Sequence, residues 1–129
     1  LVESARGETT GVEEKLGDTY VVVESVSDAP SADFLSEIGD GFKQRLKNVV
    51  VLLGAVIDGK PAFIAMSTPD AAKKCPAGDV ARAAAQAAGG SGGGRPEMAR
   101  GGGVDPSKLD AALAAGRKVI EEKLAQSQM

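Results

Sequence analysis

The chain of 129 residues is short of the side chains on which most active sites depend. It has no histidine and no tryptophan, a single cysteine, and only 3% aromatic residues: Tyr20, Phe34, Phe42 and Phe63. Without histidine, Ser-His-Asp and Cys-His arrangements are impossible within the chain, and the usual zinc ligand sets cannot be assembled. Cys75 has no intrachain partner, so no disulfide framework exists. It follows Lys73 and Lys74, the neighbours of an activated thiol, although an incidental cysteine before Pro76 is the plainer reading. The longest apolar stretch, Val49 to Ile57, is of strand length and far too short to span a membrane. No basic segment followed by an apolar stretch opens the chain. Its first residue, Leu1, suggests a piece excised from a longer, cytoplasmic parent.

Hydrophobic residues make up 43% of the chain, enough for one core at this length and too few for two. With so few aromatics, that core must be built from Val, Ile, Leu and Ala. The net charge of −3 speaks against a uniformly basic nucleic-acid binder, but its distribution is uneven. Residues 1–40 hold ten acidic and two basic side chains, and residues 41–129 hold eight acidic and thirteen basic. A basic face on the second part is therefore compatible with the acidic total. Asp18, Asp28, Asp33, Glu37 and Asp40 are scattered around one helix and its flanks, which is the pattern of a solvated face rather than of a metal or acid–base site. The sequence assigns no catalytic residue, no metal ligand and no cofactor.

Residues 1–17 are polar and broken by Gly7, Gly11 and Gly17, and read as a lead-in to a globular unit over 18–129. Thr19 to Val26 is β-branched and reads as a buried strand. Ser31 caps a helix with Phe34, Ile38, Phe42 and Leu46 along one stripe. The run from Val49 to Ile57 predicts a central strand, Asp58-Gly59 a two-residue turn, and Pro61 to Ser67 the returning strand. Asp79 is a candidate cap for an alanine-dense helix to Ala88, closed by Gly89. Asp105 and Pro106 open a last helix with Leu109, Leu113, Gly116, Ile120 and Leu124 on one face. The expected fold is one mixed α/β domain in the order β-α-β-β-α-glycine loop-α, with helices packed on a small sheet.

The glycine loop, residues 89–103, contains eight of the seventeen glycines. A flexible linker is a poor reading, since only one helix follows and it needs a surface to pack on. Gly89 and Gly94 have P-loop spacing, but Arg95 and Pro96 stand where Lys and Ser or Thr are needed, and the loop follows a helix instead of the strand that a dinucleotide turn requires. What remains is a backbone that approaches a bulky partner closely, flanked by Arg95 and Arg100 as phosphate-capable forks.

The string from Gly89 to Gly102, GGSGGGRPEMARGG, resembles the signature GGGGGGRPDMAQAGG of alanyl-tRNA synthetase C-terminal domains. The resemblance extends to VVVLLGAVIDGKPAFIAMS, to Lys73–Val80 and to VDPSKLDAAL, covering about residues 18–124. The related DHH-associated domain of phosphoesterases carries His-Pro where this chain has Arg95-Pro96, which favours the synthetase branch. Ser91, Glu97 and Arg100 depart from the signature and bear on side-chain detail only. The resemblance implies a non-catalytic domain that contacts the elbow of tRNA(Ala), where the D and T loops meet, while upstream domains of the parent alanine–tRNA ligase perform aminoacylation and editing. The expected contacts are Lys73, Lys74, Arg82, Gly92, Gly93, Gly94, Arg95, Arg100 and Lys108. A docking or dimerisation module of the same synthetase is the alternative. Residues 1–17 are too short to supply the family's helical segment, so dimerisation of this piece stays open.

Overall fold

The computed structural model describes residues 14–16, 19–26, 30–46 and 48–127. Residues 1–13 and 17 of the expected lead-in, with Asp18 and Asp28, lie outside them. The elements are β1 (Glu14–Leu16), β2 (Thr19–Ser25), α1 (Ala32–Arg45), β3 (Val49–Ile57), β4 (Lys60–Ser67), α2 (Pro69–Lys74), α3 (Ala77–Ala87), β5 (Ser91–Gly94), β6 (Met98–Gly102), a 3₁₀ turn (Pro106–Lys108) and α4 (Leu109–Ser127). The sheet runs β1-β2-β3-β4-β6-β5. Among the described residues only β2 and β3 pair in parallel, with α1 as the crossover between them, and the other pairs are antiparallel. This is the mixed α/β domain that the sequence predicts.

Buried β3 separates two apolar layers. Val49, Val51, Leu53 and Ala55 pack with Val22, Ile64, Met66 and Leu35 on the α1 side, and Val50 and Leu52 pack with Phe63, Ala81, Ala84, Leu113 and Ile120 on the side of α3 and α4. The period of two along β3, with both faces covered, explains why its sequence is an unbroken apolar run. Aliphatic and alanine side chains dominate both layers, as the shortage of aromatics requires. Leu113, Ile120 and Leu124 are buried along α4, as their spacing predicts.

Two backbone signals act as expected. Asp58 and Gly59 both take positive φ, 54° and 78°, which is the conformation of a type I′ hairpin turn and forces the β3–β4 antiparallel register. Asp105 caps the 3₁₀ turn by accepting from the Ser107 N–H at 3.0 Å and from its hydroxyl at 2.6 Å, and these bonds hold its carboxyl below the usual range.

Five features differ from the sequence reading. The α1 stripe is centred one residue later, on buried Leu35 and Gly39 with Ile38 and Phe42 flanking, and leaves Phe34 38% exposed. Residues four apart drift around a helix of 3.6 residues per turn, so a strict spacing of four cannot stay against one surface. A short helix, α2, occupies Pro69–Lys74, with Pro69 at its first position. The α3 cap is Pro76, not Asp79, because the Ala77 N–H is satisfied by the Pro96 carbonyl at 2.8 Å across the fold. The glycine segment is not a loop: β5 and β6 form a hairpin along the sheet edge. Glu14–Leu16 likewise add a strand, β1, within the stretch read as lead-in.

One buried polar link closes the lower end of the sheet. The Val49 N–H donates to Thr68 Oγ1 at 3.1 Å in a buried position, and the Thr68 N–H returns a bond to the Val49 carbonyl. Thr68→Val keeps the shape and removes the acceptor, stranding that N–H. The expected loss is about 1–3 kcal/mol, read as a lower urea midpoint at unchanged slope.

Candidate nucleic-acid interface

Why the glycine segment becomes a hairpin is clear from what lies on it. A Cβ on Gly92 would come within 3.0 Å of the Ala81 carbonyl oxygen of α3, and one on Gly101 within 3.0 Å of Ala85 Cβ. The alanine-dense face of α3 therefore rests directly on the bare backbone at Gly92 and Gly101, and the bulky partner that these two glycines admit is a helix of the same chain. Gly94 is backed by Ala99 and by the first turn of α3. Only Gly93, of the three expected contact glycines, faces open space.

The hairpin turn is held from several directions. The Arg95 N–H donates to the Met98 carbonyl and the Met98 N–H to the Arg95 carbonyl, the Ser67 N–H to the Glu97 carbonyl, and the Ala77 N–H to the Pro96 carbonyl. These bonds bring the end of β4, the start of α3 and the hairpin tip together. The end of α1 arrives there too, since Lys43 lines one open cleft with Arg95, Pro96, Glu97 and Met98. From α4, Lys123 reaches Asp79 at 3.0 Å, on the carboxylate that Arg82 also meets at 3.3 Å.

One end of the molecule thus gathers Arg82, Arg95 and, on α2 just before α3, Lys73 and Lys74, four of the expected contacts. Lys73 lies 3.9 Å from Asp70, but both are largely exposed and the pair is weak. Lys43 and Lys123 join this end without having been expected. For Lys43 the available signal was the basic last turn of α1; Lys123 lies far along the last helix, and its sequence neighbourhood offers none. Two expected contacts lie elsewhere. Arg100 projects from mid-strand toward α1, bonded to Asp33 at 3.3 Å and Ser36 at 3.2 Å. Lys108 sits at the opposite end, in the 3₁₀ turn after Gly103, whose N–H donates to the Pro61 carbonyl.

Cys75 is fully buried beneath this basic end, and its carbonyl accepts from Ser67 Oγ at 2.9 Å. Burial pushes its thiol up to about 12; Lys123 opposes the shift and Asp79 adds to it. Lys73 and Lys74 therefore do not make it an activated thiol, because desolvation by burial is the dominant influence on it.

The DHHA1 domain family matches residues 18–122, a span that takes in β2 through most of α4. The chain belongs to the DHHA1 domain family. Among its relatives, the alanine–tRNA ligases of Burkholderia orbicola and Burkholderia lata are 43% and 42% identical to it over 110 residues. Each alignment covers 85% of this chain and 12% of the ligase, so the chain spans about an eighth of the length of those relatives. Among solved structures, this DHHA1 domain is similar to the C-Ala domain of Aquifex aeolicus alanyl-tRNA synthetase, with a TM-score of 0.74 and 27% identity over 84% of this chain and 97% of that one. A DHH-domain protein described as belonging to a family of ribosomal proteins shares the fold, with a TM-score of 0.56 and 17% identity over 91% of this chain and 28% of its own. The resemblance to synthetase C-terminal domains that the glycine string carries is thereby borne out.

Proposed function

We propose that this DHHA1 domain is a non-catalytic, tRNA-contacting part of an alanine–tRNA ligase, working in the cytoplasm beside the upstream domains of its parent. It engages tRNA(Ala) at the elbow through the end of the fold that carries the hairpin tip. The observation that supports this most is the convergence of Lys43, Lys73, Lys74, Arg82, Arg95 and Lys123 on that one end of a chain whose total charge is negative. Lysine and arginine spread over a surface are solvated; gathered where four helix segments and a hairpin meet, they can follow a phosphate backbone.

Binding of this kind releases counterions, so affinity should fall steeply with salt. About four phosphate contacts give a slope of roughly −3 in log affinity against log salt. Fluorescence anisotropy with transcribed tRNA reads this directly. Arg95→Ala should weaken binding by about five-fold and flatten the slope by nearly one contact, while Lys108→Ala at the far end should leave both unchanged. A tRNA without its D-loop to T-loop contact should bind less well. No binding at low salt, or equal losses from Arg95→Ala and Lys108→Ala, would remove the interface from this end.

A second reading has one observation of its own. Val104 and Val56, 65% and 42% exposed, lie toward the end opposite the cations. An apolar contact there would dock the domain onto its parent, and it would show as salt-insensitive association in sedimentation.

A further inference from the structure

The cleft at the hairpin tip has a composition that a general attraction to phosphate does not require. It has a volume of 420 Å³ and is lined by Lys43, Arg95, Pro96, Glu97 and Met98, within the span of roughly 300–1,000 Å³ usual for small-ligand clefts. Its lining combines two cations, Lys43 and Arg95, with apolar Pro96 and Met98 and a single carboxylate, Glu97. Among the described residues neither Lys43 nor Arg95 forms an ion pair. The backbone of residues 95–98 is tied to β4, to α3 and to itself by four hydrogen bonds, so the concavity exists before any ligand arrives.

The rigid outer surface of a duplex does not enter a concavity of this size. Unpaired nucleotides do, and sequence-selective RNA recognition generally works by accepting splayed bases against apolar or guanidinium surfaces. We propose that this cleft holds one unpaired nucleotide of an RNA, with its phosphate between Lys43 and Arg95 and its base against Pro96 and Met98. The proposal rests on the RNA-binding reading above and adds to it which kind of RNA element is gripped. Arg95 serves twice, since its guanidinium can pair with phosphate and present a flat face to a base. Glu97 limits the site to one phosphate by repelling a second.

The chain contains three methionines, Met66, Met98 and Met129, so a protein labelled with ¹³C at the methionine methyls gives a spectrum of three signals. Met98 reports on the cleft and buried Met66 on the integrity of the core. Titration with single-stranded tetra-adenylate at low salt should move the Met98 signal and leave Met66 in place. A blunt RNA duplex should not move Met98. Arg95→Ala and Lys43→Ala, both on the cleft wall rather than in the core, should each weaken the tetra-adenylate titration by roughly five-fold. Glu97→Gln should strengthen it by a few-fold.

Transcribed tRNA is titrated alongside by anisotropy. If tRNA binds while Met98 is silent to tRNA and to tetra-adenylate, or if the duplex moves Met98 equally, the nucleotide cleft is overturned and RNA binding stands. If neither RNA binds at low salt, both readings fall together.

Discussion

Gly90→Ala should destabilise the domain by about 3 kcal/mol, the upper part of the range for forcing an atom into a packed site. A Cβ at this position would overlap the Gly102 carbonyl oxygen and come within 2.7 Å of Gly103 Cα, so the obstruction is backbone and has no rotamer by which to yield. The surroundings are also fixed. The Gly90 N–H donates to the Ala85 carbonyl at 2.8 Å, and the Ala88 carbonyl accepts from the N–H groups of Val104 and Asp105. For a domain of this size, about 3 kcal/mol corresponds to roughly 10–20 °C in Tm. Gly41→Ala is the matched comparison: it lies on α1 with nothing within 4 Å of its added carbon, and should raise stability by about 0.5–1 kcal/mol. Equal melting temperatures for the parent and Gly90→Ala would mean that the turn after α3 and the end of β6 do not meet as closely as described.

The alkaline limb of stability should be governed in large part by Cys75. An unfolded thiol ionises near ~8.5, whereas burial pushes the folded one up to about 12. The folded pKa is raised, so the contribution of the protonated thiol is fully present below ~8.5 and is lost as pH rises toward about 12. Between those limits the unfolded chain has released a proton that the native state retains, and stability falls by up to about 1.4 kcal/mol per pH unit. The difference between the parent and Cys75→Ala isolates the thiol: the variant's curve should be flatter by that slope above pH ~9. The same burial predicts that iodoacetamide at pH ~8 leaves Cys75 unmodified in the native protein and alkylates it after unfolding in urea. Fast alkylation of the native protein, with parallel pH curves, would contradict the burial.

The central strands were legible because their signals are local. The unbroken run of Val49–Ile57, the Asp58-Gly59 turn and the β-branched Thr19–Ser25 each state their structure within a few residues. The glycine hairpin was not legible, because strand patterning is a pattern of side chains and five of the nine residues of these strands are glycine. Its stability comes from α3 lying on it, a tertiary fact. The shift from Phe34 to Leu35 escaped for a related reason: the register of α1 is set by where Met66 and Ile64 sit on the sheet. Of the proposed interface, the glycine string pointed to Arg95. It could not identify Lys43 or Lys123, which lie far apart in the chain and are brought to the same end by the crossover of α1 and the length of α4.

The outermost strand, β5, has a bearing on how the protein behaves at high concentration. An open sheet edge ordinarily invites another chain to add a strand, the first step of amyloid-like stacking, and natural edges are blunted by charge, proline or bulges. Here the protection is stereochemical. Gly93 and Gly94 hold φ of 156° and 157°, a conformation that side-chain-bearing L-residues rarely adopt. An incoming segment of ordinary sequence cannot mirror that geometry, so its hydrogen-bond ladder would lose alignment within a residue or two. Along β5 the domain keeps a bare backbone at its rim without offering a regular template for strand addition.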